Sequence, residues 1–365
     1  MTERITLDNL DDFAIGATVL GTGGGGDPYI GKLMAKQAIE EHGPVDLIDP
    51  RDVPDDELVV PSAMLGAPTV MVEKMPKGTE ARSAFEALET HLGQEAYATM
   101  SIEAGGLNST VPIAVAAALG LPLVDADGMG RAFPEVQMVT LTMGGVSATP
   151  MSIADEKGNS LLVNTVSNEY AEAFARVTSI EMGGACMIGT YALSGAEVRE
   201  HAILDSMSLA HDIGEAIRTA KHRSRDPVEA VFDLTDGYEL FAGKLTDVER
   251  RTEGGFAVGE ATLDGIDDCE GRTFTLDFQN ENLVARDSER GVVASTPDLI
   301  TVVDAETGDP VTTERLAYGH RVRVIGMPCS PKWRTDEGLD LVGPGYFDYS
   351  IDYEPIETLQ QPKHD

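Results

Sequence analysis

Residues 97–128 carry the pattern that most limits the fold of this chain. The apolar run YATMSIE leads into a pair of glycines, the helical stretch NSTVPIAVAAALG follows, and LPLVDADG returns to an apolar run. A strand, a glycine turn, a helix and a second strand in this order are typical of a parallel α/β layer. The short apolar runs VDLID (45–49), LVVPSAML (58–65) and PTVMV (68–72) also predict buried strands. We therefore predict an α/β domain at the start of the chain.

The pattern changes near Asp233. Before it, QMVTLTM (137–143) and SLLVNTV (160–166) are predicted as further strands of the α/β domain. After it, runs of alternating apolar and polar residues are separated by frequent turn signals, which is typical of an antiparallel barrel or sandwich. The predicted organisation is an α/β domain over residues 1–232, a β-rich domain over 233–330, and a C-terminal segment, 331–365, that packs back on the first domain.

The charge balance excludes whole classes of partner. The 365 residues include 62 acidic and 27 basic side chains, which give a formal net charge of −35. Such a surface repels nucleic acid phosphates and anionic lipid, so we expect neither nucleic acid nor membrane as a partner. Acidic residues spread along the whole chain are best tolerated where concentrated salt screens them, which indicates a high-salt cytoplasm.

Cysteine content and the N-terminal residues also favour a cytoplasmic protein. The three cysteines, Cys186, Cys269 and Cys329, form no CxxC pair and no even-numbered disulfide framework. The first residues are acidic, whereas a signal peptide begins with a basic segment followed by an apolar one. No apolar run reaches the ~18 residues that a membrane-spanning helix needs.

A glycine-rich segment, GTGGGGDP (21–28), separates two predicted helices at 6–20 and 28–43. It matches G-x-G-x-x-G, and Asp49 follows at the distance of a ribose-binding carboxylate, so an NAD- or FAD-dependent oxidoreductase is one alternative. That alternative requires a strand directly before Gly21, where the sequence instead predicts a helix. We favour a pocket without a nucleotide, at the start of the second helix. Its expected substrate-binding residues are Gly23, Gly24, Gly25, Gly26 and Asp27.

Further candidate site residues follow two neighbouring predicted strands. Ligands of open α/β sheets bind at the carboxyl ends of strands. The segment DADGMGRAFPE (125–135) follows LPLV and supplies the expected catalytic residues Asp125, Asp127, Arg131 and Glu135. Asp125 and Asp127 could activate water or hold a divalent metal ion. The preceding strand ends in a second polar turn, from which we expect Glu103, Asn108 and Ser109 to bind substrate.

Several segments match a known family, in order and over nearly the whole chain. They are GTGGGGDPYIG (21–31), IEAGGLNS (102–109), LPLVDADGMGRAFPE (121–135), QNENLVA (279–285) and the closing stretch 326–355. With these segments the chain resembles the S-methyl thiohydantoin desulfurase-like family. The resemblance implies an N-terminal α/β domain, a β-rich C-terminal domain and chemistry on a five-membered thiohydantoin ring. The chain departs from the family pattern at Asp348, where we expect glycine in the local turn.

The expected activity is therefore hydrolytic desulfuration of a small heterocycle. Water adds to the ring carbon that bears sulfur, a tetrahedral intermediate forms, and a thiol leaves to give a hydantoin. Asp125 or Asp127 would activate the water or hold a metal ion, Arg131 would bind the substrate, and the amides of residues 23–26 would stabilise negative charge. Carboxylate ligands suit a hard cation, and the resemblance leaves zinc open.

Two alternatives remain beside the hydrolase. One is the dinucleotide-dependent oxidoreductase, and the other is a non-catalytic small-molecule sensor or a subunit of a hydantoinase-type complex. We expect a homo-oligomer in each case.

Overall fold

Two large sheets organise the chain. The computed structural model describes residues 4–66 and 78–361. The strands of the first half are β1 (Arg4–Ile5), β2 (Val45–Ile48), β3 (Leu58–Gly66), β4 (Ala98–Ser101), β5 (Leu123–Val124), β6 (Ala126–Asp127), β7 (Met151–Ala154), β8 (Ser160–Val163), β9 (Ala185–Gly189), β10 (Leu193–Ser194) and β11 (Ile203–Leu204). Those of the second half are β12 (Tyr238–Glu253), β13 (Phe256–Gly265), β14 (Thr273–Gln279), β15 (Glu281–Asp287), β16 (Gly291–Ser295), β17 (Leu299–Asp304), β18 (Pro310–Val311) and β19 (Arg321–Met327).

Helices cover the first sheet and close the chain. They are α1 (Leu10–Leu20), α2 (Pro28–His42), α3 (Thr79–Leu92), α4 (Val111–Leu119), α5 (Thr140–Met143), α6 (Asn168–Glu181), α7 (Gly195–His201), α8 (Ser206–His222), α9 (Pro227–Thr235), α10 (Asp336–Val342) and α11 (Ile356–Leu359). Among the described residues, no helix is long and apolar enough to cross a membrane.

The first sheet has a parallel centre with antiparallel strands on both sides. Its order is β1-β2-β5-β4-β3-β9-β7-β8, with β10 paired to β3. Strands β2, β5, β4 and β3 run parallel to one another. Strand β3 is buried along almost its whole length, as expected for a central strand covered on both faces. Because β3, β4 and β5 are parallel, the segments that follow them emerge at one edge of the sheet.

The second half forms an eight-stranded antiparallel sheet. Its order is β16-β15-β14-β13-β12-β19-β17-β18. The sheet curls so that β15 approaches β17, where the Asn282 side-chain amide donates to Ile300 O at 2.9 Å. Three phenylalanines, Phe241, Phe274 and Phe278, are almost completely buried in its core. The fold is thus an α/β N-terminal domain and a C-terminal domain rich in antiparallel strands, as the sequence predicted.

The C-terminal segment contacts both halves of the molecule. The Trp333 indole N–H donates to Met129 O at 2.7 Å, and its ring lies edge-on to Phe133, with ring centroids 5.2 Å apart. Further on, the Ile356 N–H donates to Asp298 Oδ2 at 2.8 Å, and the Ile356 side chain is buried against the second sheet. The segment after residue 331 therefore packs on the first half and also ties it to the second.

Most predicted elements of the first half agree with the structure, with one clear error. QMVTLTM was predicted as a strand, but Thr140–Met143 form one helical turn that ends before Gly144 and Gly145. Strands β7 and β9 were not predicted, because MSIA and ACMIG are short and lie among glycines and polar residues. The predicted strand at 68–72 lies outside the described residues.

Candidate active site

A cleft lies between the two halves of the chain. The first half contributes Gly24–Gly26, Glu103 and Asn108, together with Glu135, and the second half contributes Glu281. The cleft has a volume of about 80 Å³, roughly the space of three water molecules or one small ring. Several carboxyl groups therefore face a small, partly open cleft that both domains build.

The glycine loop, residues 21–26, joins α1 to α2. Gly24 N donates to Gly21 O at 2.8 Å, and Gly23, Gly25 and Gly26 adopt positive φ. Since α1 runs directly into Gly21, the strand that a dinucleotide fingerprint requires is replaced by a helix. An NAD- or FAD-dependent oxidoreductase would need that strand directly before Gly21, so the structure does not favour this alternative.

Close approach explains why Gly24 and Gly25 carry no side chains. A Cβ atom on Gly24 would lie 1.9 Å from Glu281 Oε1, and one on Gly25 would lie 2.5 Å from Gly105 Cα. The Gly25 and Gly26 amides donate to no atom of the described residues. The loop is thus packed between a carboxyl group of the second domain and the turn after β4, and two of its amides have no acceptor among the described residues.

Glu103 is the buried carboxyl of the first domain in this cleft. The turn after β4 places it there, and Asn108 Nδ2 donates to Glu103 Oε1 at 2.7 Å. Asn108 is itself fixed, because its side chain exchanges hydrogen bonds with the backbone of Met64. Burial raises the pKa of Glu103 to about 7; the hydrogen bond from Asn108 opposes this rise, and the charge of Asp127 adds to it. Near neutral pH, Glu103 can therefore exist with or without its proton.

Glu281 is the opposing carboxyl, supplied by the start of β15. It is 3% exposed, and its Oε2 atom has no hydrogen-bond partner among the described residues. Burial raises the pKa of Glu281 well above its usual range; the charge of Glu103 raises it further, and the charge of Arg131 opposes the rise. Both carboxyls therefore have raised pKa values, and two coupled carboxyls that face one cleft can serve as an acid and a base.

Asp127 lies behind Glu103 and not in the lining of the cleft. Its Oδ2 atom accepts hydrogen bonds from Met129 N and Gly130 N, at 2.8 and 2.7 Å. Burial raises the pKa of Asp127 to about 6, although these two amides lower it. Asp127 is thus placed to raise the pKa of Glu103 and not to touch a ligand in the cleft, and its catalytic role stays a prediction.

Asp125 points away from the cleft. Its Oδ1 atom accepts hydrogen bonds from Met207 N and Ser208 N, both at 2.9 Å, at the N-terminus of α8. Burial is the main cause of a raised pKa for Asp125. A carboxylate in this position stabilises the start of the helix. Asp125 is therefore not placed to touch a ligand in the cleft, and its catalytic role stays a prediction.

Arg131 joins the two domains and has no donor left for a substrate. It is completely buried. Its guanidinium makes five hydrogen bonds, to Ala132 O, Pro297 O, Asp298 O, Thr22 Oγ1 and Asn282 O. A guanidinium has five N–H donors, so the protein itself uses all of them. With these bonds Arg131 is not placed to bind a ligand, and its substrate-binding role stays a prediction.

The remaining predicted residues divide between the cleft and its support. Glu135 lines the cleft and accepts a hydrogen bond from Tyr346 Oη at 2.8 Å. Gly23, Ser109 and Asp27 do not line it. Gly23 O accepts from Thr313 N at 2.9 Å, Ser109 Oγ accepts from Gly105 N at 3.1 Å, and the Asp27 side chain caps α2 and contacts Arg315. These three residues shape the loops and are not placed to touch a ligand.

The expected metal pair lies outside the lining of the cleft. Asp125 and Asp127 are each held through one oxygen by backbone amides of different segments, while Asp125 Oδ2 and Asp127 Oδ1 have no hydrogen-bond partner among the described residues. Within residues 4–66 and 78–361, no group of three or more His, Cys, Asp or Glu side chains is arranged to hold a metal ion. The metal site at Asp125 and Asp127 therefore stays a prediction.

The second domain supplies cleft residues that sequence reasoning missed. They are Asn280, Glu281 and Glu314, and the first domain adds Arg176 from α6. Burial also raises the pKa of Glu314. The segment QNENLVA contains Glu281, and its only signal in the sequence is its place in the family pattern. Its position in an otherwise ordinary β-strand gives no local sign that the side chain reaches a cleft in another domain.

Comparison with known proteins agrees with this two-domain architecture. The chain matches a solved crystal structure of a protein from Chromobacterium violaceum with 24% identity and a TM-score of 0.80, over 97% of this chain and 99% of that one. At this identity the likeness establishes the fold alone. No curated protein matches the chain.

The fold and the cleft together define a protein with an α/β domain, a β-rich domain and a buried pair of carboxyl groups between them. Family models identify it further. The model described as S-Me-THD-like, N-terminal domain, matches residues 8–165, and the S-Me-THD-like, C-terminal domain, matches residues 166–356. The chain belongs to the S-methyl thiohydantoin desulfurase-like family. The two family models meet at residues 165 and 166, inside the predicted first domain of residues 1–232, whereas the antiparallel sheet begins at Tyr238. The predicted domain boundary at 232/233 therefore stays a prediction.

Proposed function

We propose that the chain is a hydrolytic desulfurase that acts on a thiohydantoin or S-methyl thiohydantoin ring in the cleft. The observation that carries this proposal is the pairing of Glu103 with Glu281. Both carboxyls are buried, both have raised pKa values, and they enter one small cleft from different domains. Family membership supports a thiohydantoin-like ring as the ligand, and the cleft volume suits a ring of that size.

The two carboxyls divide the work of general acid and general base. The carboxylic acid of Glu281 donates its proton to the ring nitrogen, which makes the adjacent sulfur-bearing carbon more electrophilic. The ionised Glu103 accepts a proton from water as the water oxygen attacks that carbon. The tetrahedral intermediate then loses its sulfur substituent, which leaves as a thiol with the proton from Glu103. The hydroxyl proton of the intermediate passes to Glu281, which restores the acid, and the ring keeps a new carbonyl group. One water molecule is consumed and one thiol is released.

The glycine loop suits the oxygen that gains charge in this reaction. The attacking oxygen becomes partly negative before sulfur leaves, and preorganised backbone N–H groups stabilise such charge. Gly25 and Gly26 line the cleft and their amides have no protein acceptor among the described residues. A protonated Glu281 beside Gly24 also avoids placing a second negative charge near that oxygen.

A released-thiol assay on a small panel of thiohydantoins and S-methyl thiohydantoins tests the proposal. We expect Glu103→Gln and Glu281→Gln each to lower kcat by ~100-fold or more, because each removes one proton-transfer group. Asp127→Asn is the matched comparison. It should move the acidic limb of the kcat/KM profile to lower pH, since the Asp127 charge raises the pKa of Glu103.

Two outcomes contradict the proposal in different ways. Thiol release that is unchanged in both glutamine variants would show that the pair does no chemistry. Thermal stabilisation by the same compounds without any thiol release would favour the non-catalytic sensor.

A further inference from the structure

An apolar surface lies on the outer side of α6 and on the adjoining edge strand β8. The face, which we term the α6–β8 face, consists of Leu161, Leu162, Val166, Tyr170, Phe174, Val177 and Ile180. The four members on α6 recur at helical spacing and are each 52–63% exposed, and Val166 is 91% exposed. The opposite side of α6 is buried, with Ala171 and Ala175 in the core. The helix is therefore apolar on both sides, which is unusual for a helix that faces water.

The face is also depleted of charge in a strongly acidic chain. Residues 160–180 contain only Glu169, Glu172 and Arg176 as charged side chains, against a net charge of −35 for the whole chain. Of these, Glu172 and Arg176 form an ion pair with each other at the inner side of the helix. Two copies of such an acidic protein repel each other least when the α6–β8 face of one copy meets the α6–β8 face of the other.

Strand β8 adds an open backbone edge to the same surface. It is the last strand of the first sheet and pairs only with β7 among the described strands. Leu161 and Leu162 point to opposite faces of the sheet, yet both remain exposed. A short, uncharged edge of this kind can pair with a copy of itself in antiparallel orientation about a two-fold axis.

We propose that the α6–β8 face is the interface of a homodimer. The exposed parts of its seven side chains amount to roughly 700 to 800 Å², close to the ~800 Å² that each partner contributes to a standard stable interface. A two-fold arrangement places apolar α6 against apolar α6 and one β8 edge beside the other. The interface is thus self-complementary in both shape and charge.

Mass measurement of the full chain in molar KCl tests this interface. At micromolar concentration, light scattering should give twice the chain mass of 38.9 kDa. The double variant Phe174→Asp, Val177→Asp should weaken association by ~100-fold or more and run as a monomer, because two buried charges would face their own copies. Tyr318→Asp is the matched control, since Tyr318 is 76% exposed outside the face and its variant should remain a dimer.

A thiol-protection experiment decides the matter if the double variant is poorly folded. The cysteines of the chain are all buried, so Val177→Cys introduces one accessible thiol. In the dimer its reaction with a maleimide should be at least ~10-fold slower than that of Tyr318→Cys. A monomeric wild-type chain, a dimer that survives the two aspartates, or equal reactivity of the two introduced thiols would each overturn the proposal.

Discussion

Replacement of Glu103 by glutamine should stabilise the protein more at alkaline pH than at acidic pH. Burial raises the pKa of Glu103 to about 7 in the folded protein, from a reference value of 4.5. A raised carboxyl pKa means that the folded state binds this proton more tightly than the unfolded state. The contribution of Glu103 to the free energy of unfolding is therefore greatest below pH 4.5 and falls as the pH rises to about 7. Above that pH the contribution is constant.

The size of the effect follows from these two values. Between pH 5.5 and 8, proton linkage at Glu103 costs the wild type about 2 kcal/mol, at 1.36 kcal/mol for each unit of pKa difference. Glutamine carries no such proton, and its side-chain oxygen can still accept the hydrogen bond from Asn108. The free energy of unfolding of Glu103→Gln, relative to wild type, should therefore rise by about 2 kcal/mol over this pH range.

Urea denaturation at a series of pH values in constant high salt measures this difference. Ser109→Ala is the control, because it removes a buried hydroxyl from the same turn without changing a titratable group. Its effect on stability should be the same at every pH. If the advantage of Glu103→Gln is also independent of pH, Glu103 does not titrate in the way proposed and cannot serve as a base near neutrality.

Two further changes test the loop and the domain junction. Gly25→Ala should lower the free energy of unfolding by ~2 kcal/mol more than Gly120→Ala, measured by thermal or urea unfolding. Both glycines have φ near +69°, but a Cβ on Gly25 would lie against Gly105, whereas a Cβ on Gly120 meets nothing within 4 Å. Equal losses of stability in the two variants would argue against tight packing of the loop. Arg131→Lys should lower the free energy of unfolding by at least ~3 kcal/mol, because lysine cannot satisfy the five acceptors around the buried guanidinium. A variant that stays stable and only binds substrate more weakly would support the predicted substrate-binding role of Arg131.

The class of fold could be predicted because its signals are local. A strand, a glycine turn and a helix follow one another within residues 97–128, and the alternation of strands after Asp233 is equally local. The turn at Asp348 also has a physical basis, because its φ of 63° is the left-handed conformation that glycine adopts at least cost. The helix at Thr140–Met143 was missed because its threonines and apolar residues have strand-like propensity, and tertiary packing outweighs that preference.

The site was predicted only in part, since side-chain direction depends on the assembled fold. The glycine loop and the turn holding Glu103, which both line the cleft, could be predicted as candidate segments because both lie at the ends of regular elements. The segment DADGMGRAFPE looked like one catalytic cluster, yet Asp125 faces α8 and Arg131 faces the second domain. No spacing rule gives these directions. Glu281 could not be found at all, because its role depends on a contact with a loop more than two hundred residues earlier.

The junction between the domains and the chemistry of the cleft depend on each other. Arg131 bonds to Thr22 of the glycine loop and to Asn282 beside Glu281, so one buried side chain connects the two halves of the site. The raised pKa of Glu281 arises mainly from burial and would fall if water entered between the domains. An open junction would thus ionise the proposed acid before it could donate its proton. For this chemistry a rigid connection serves better than a hinge, which accounts for an arginine that bonds only to the protein.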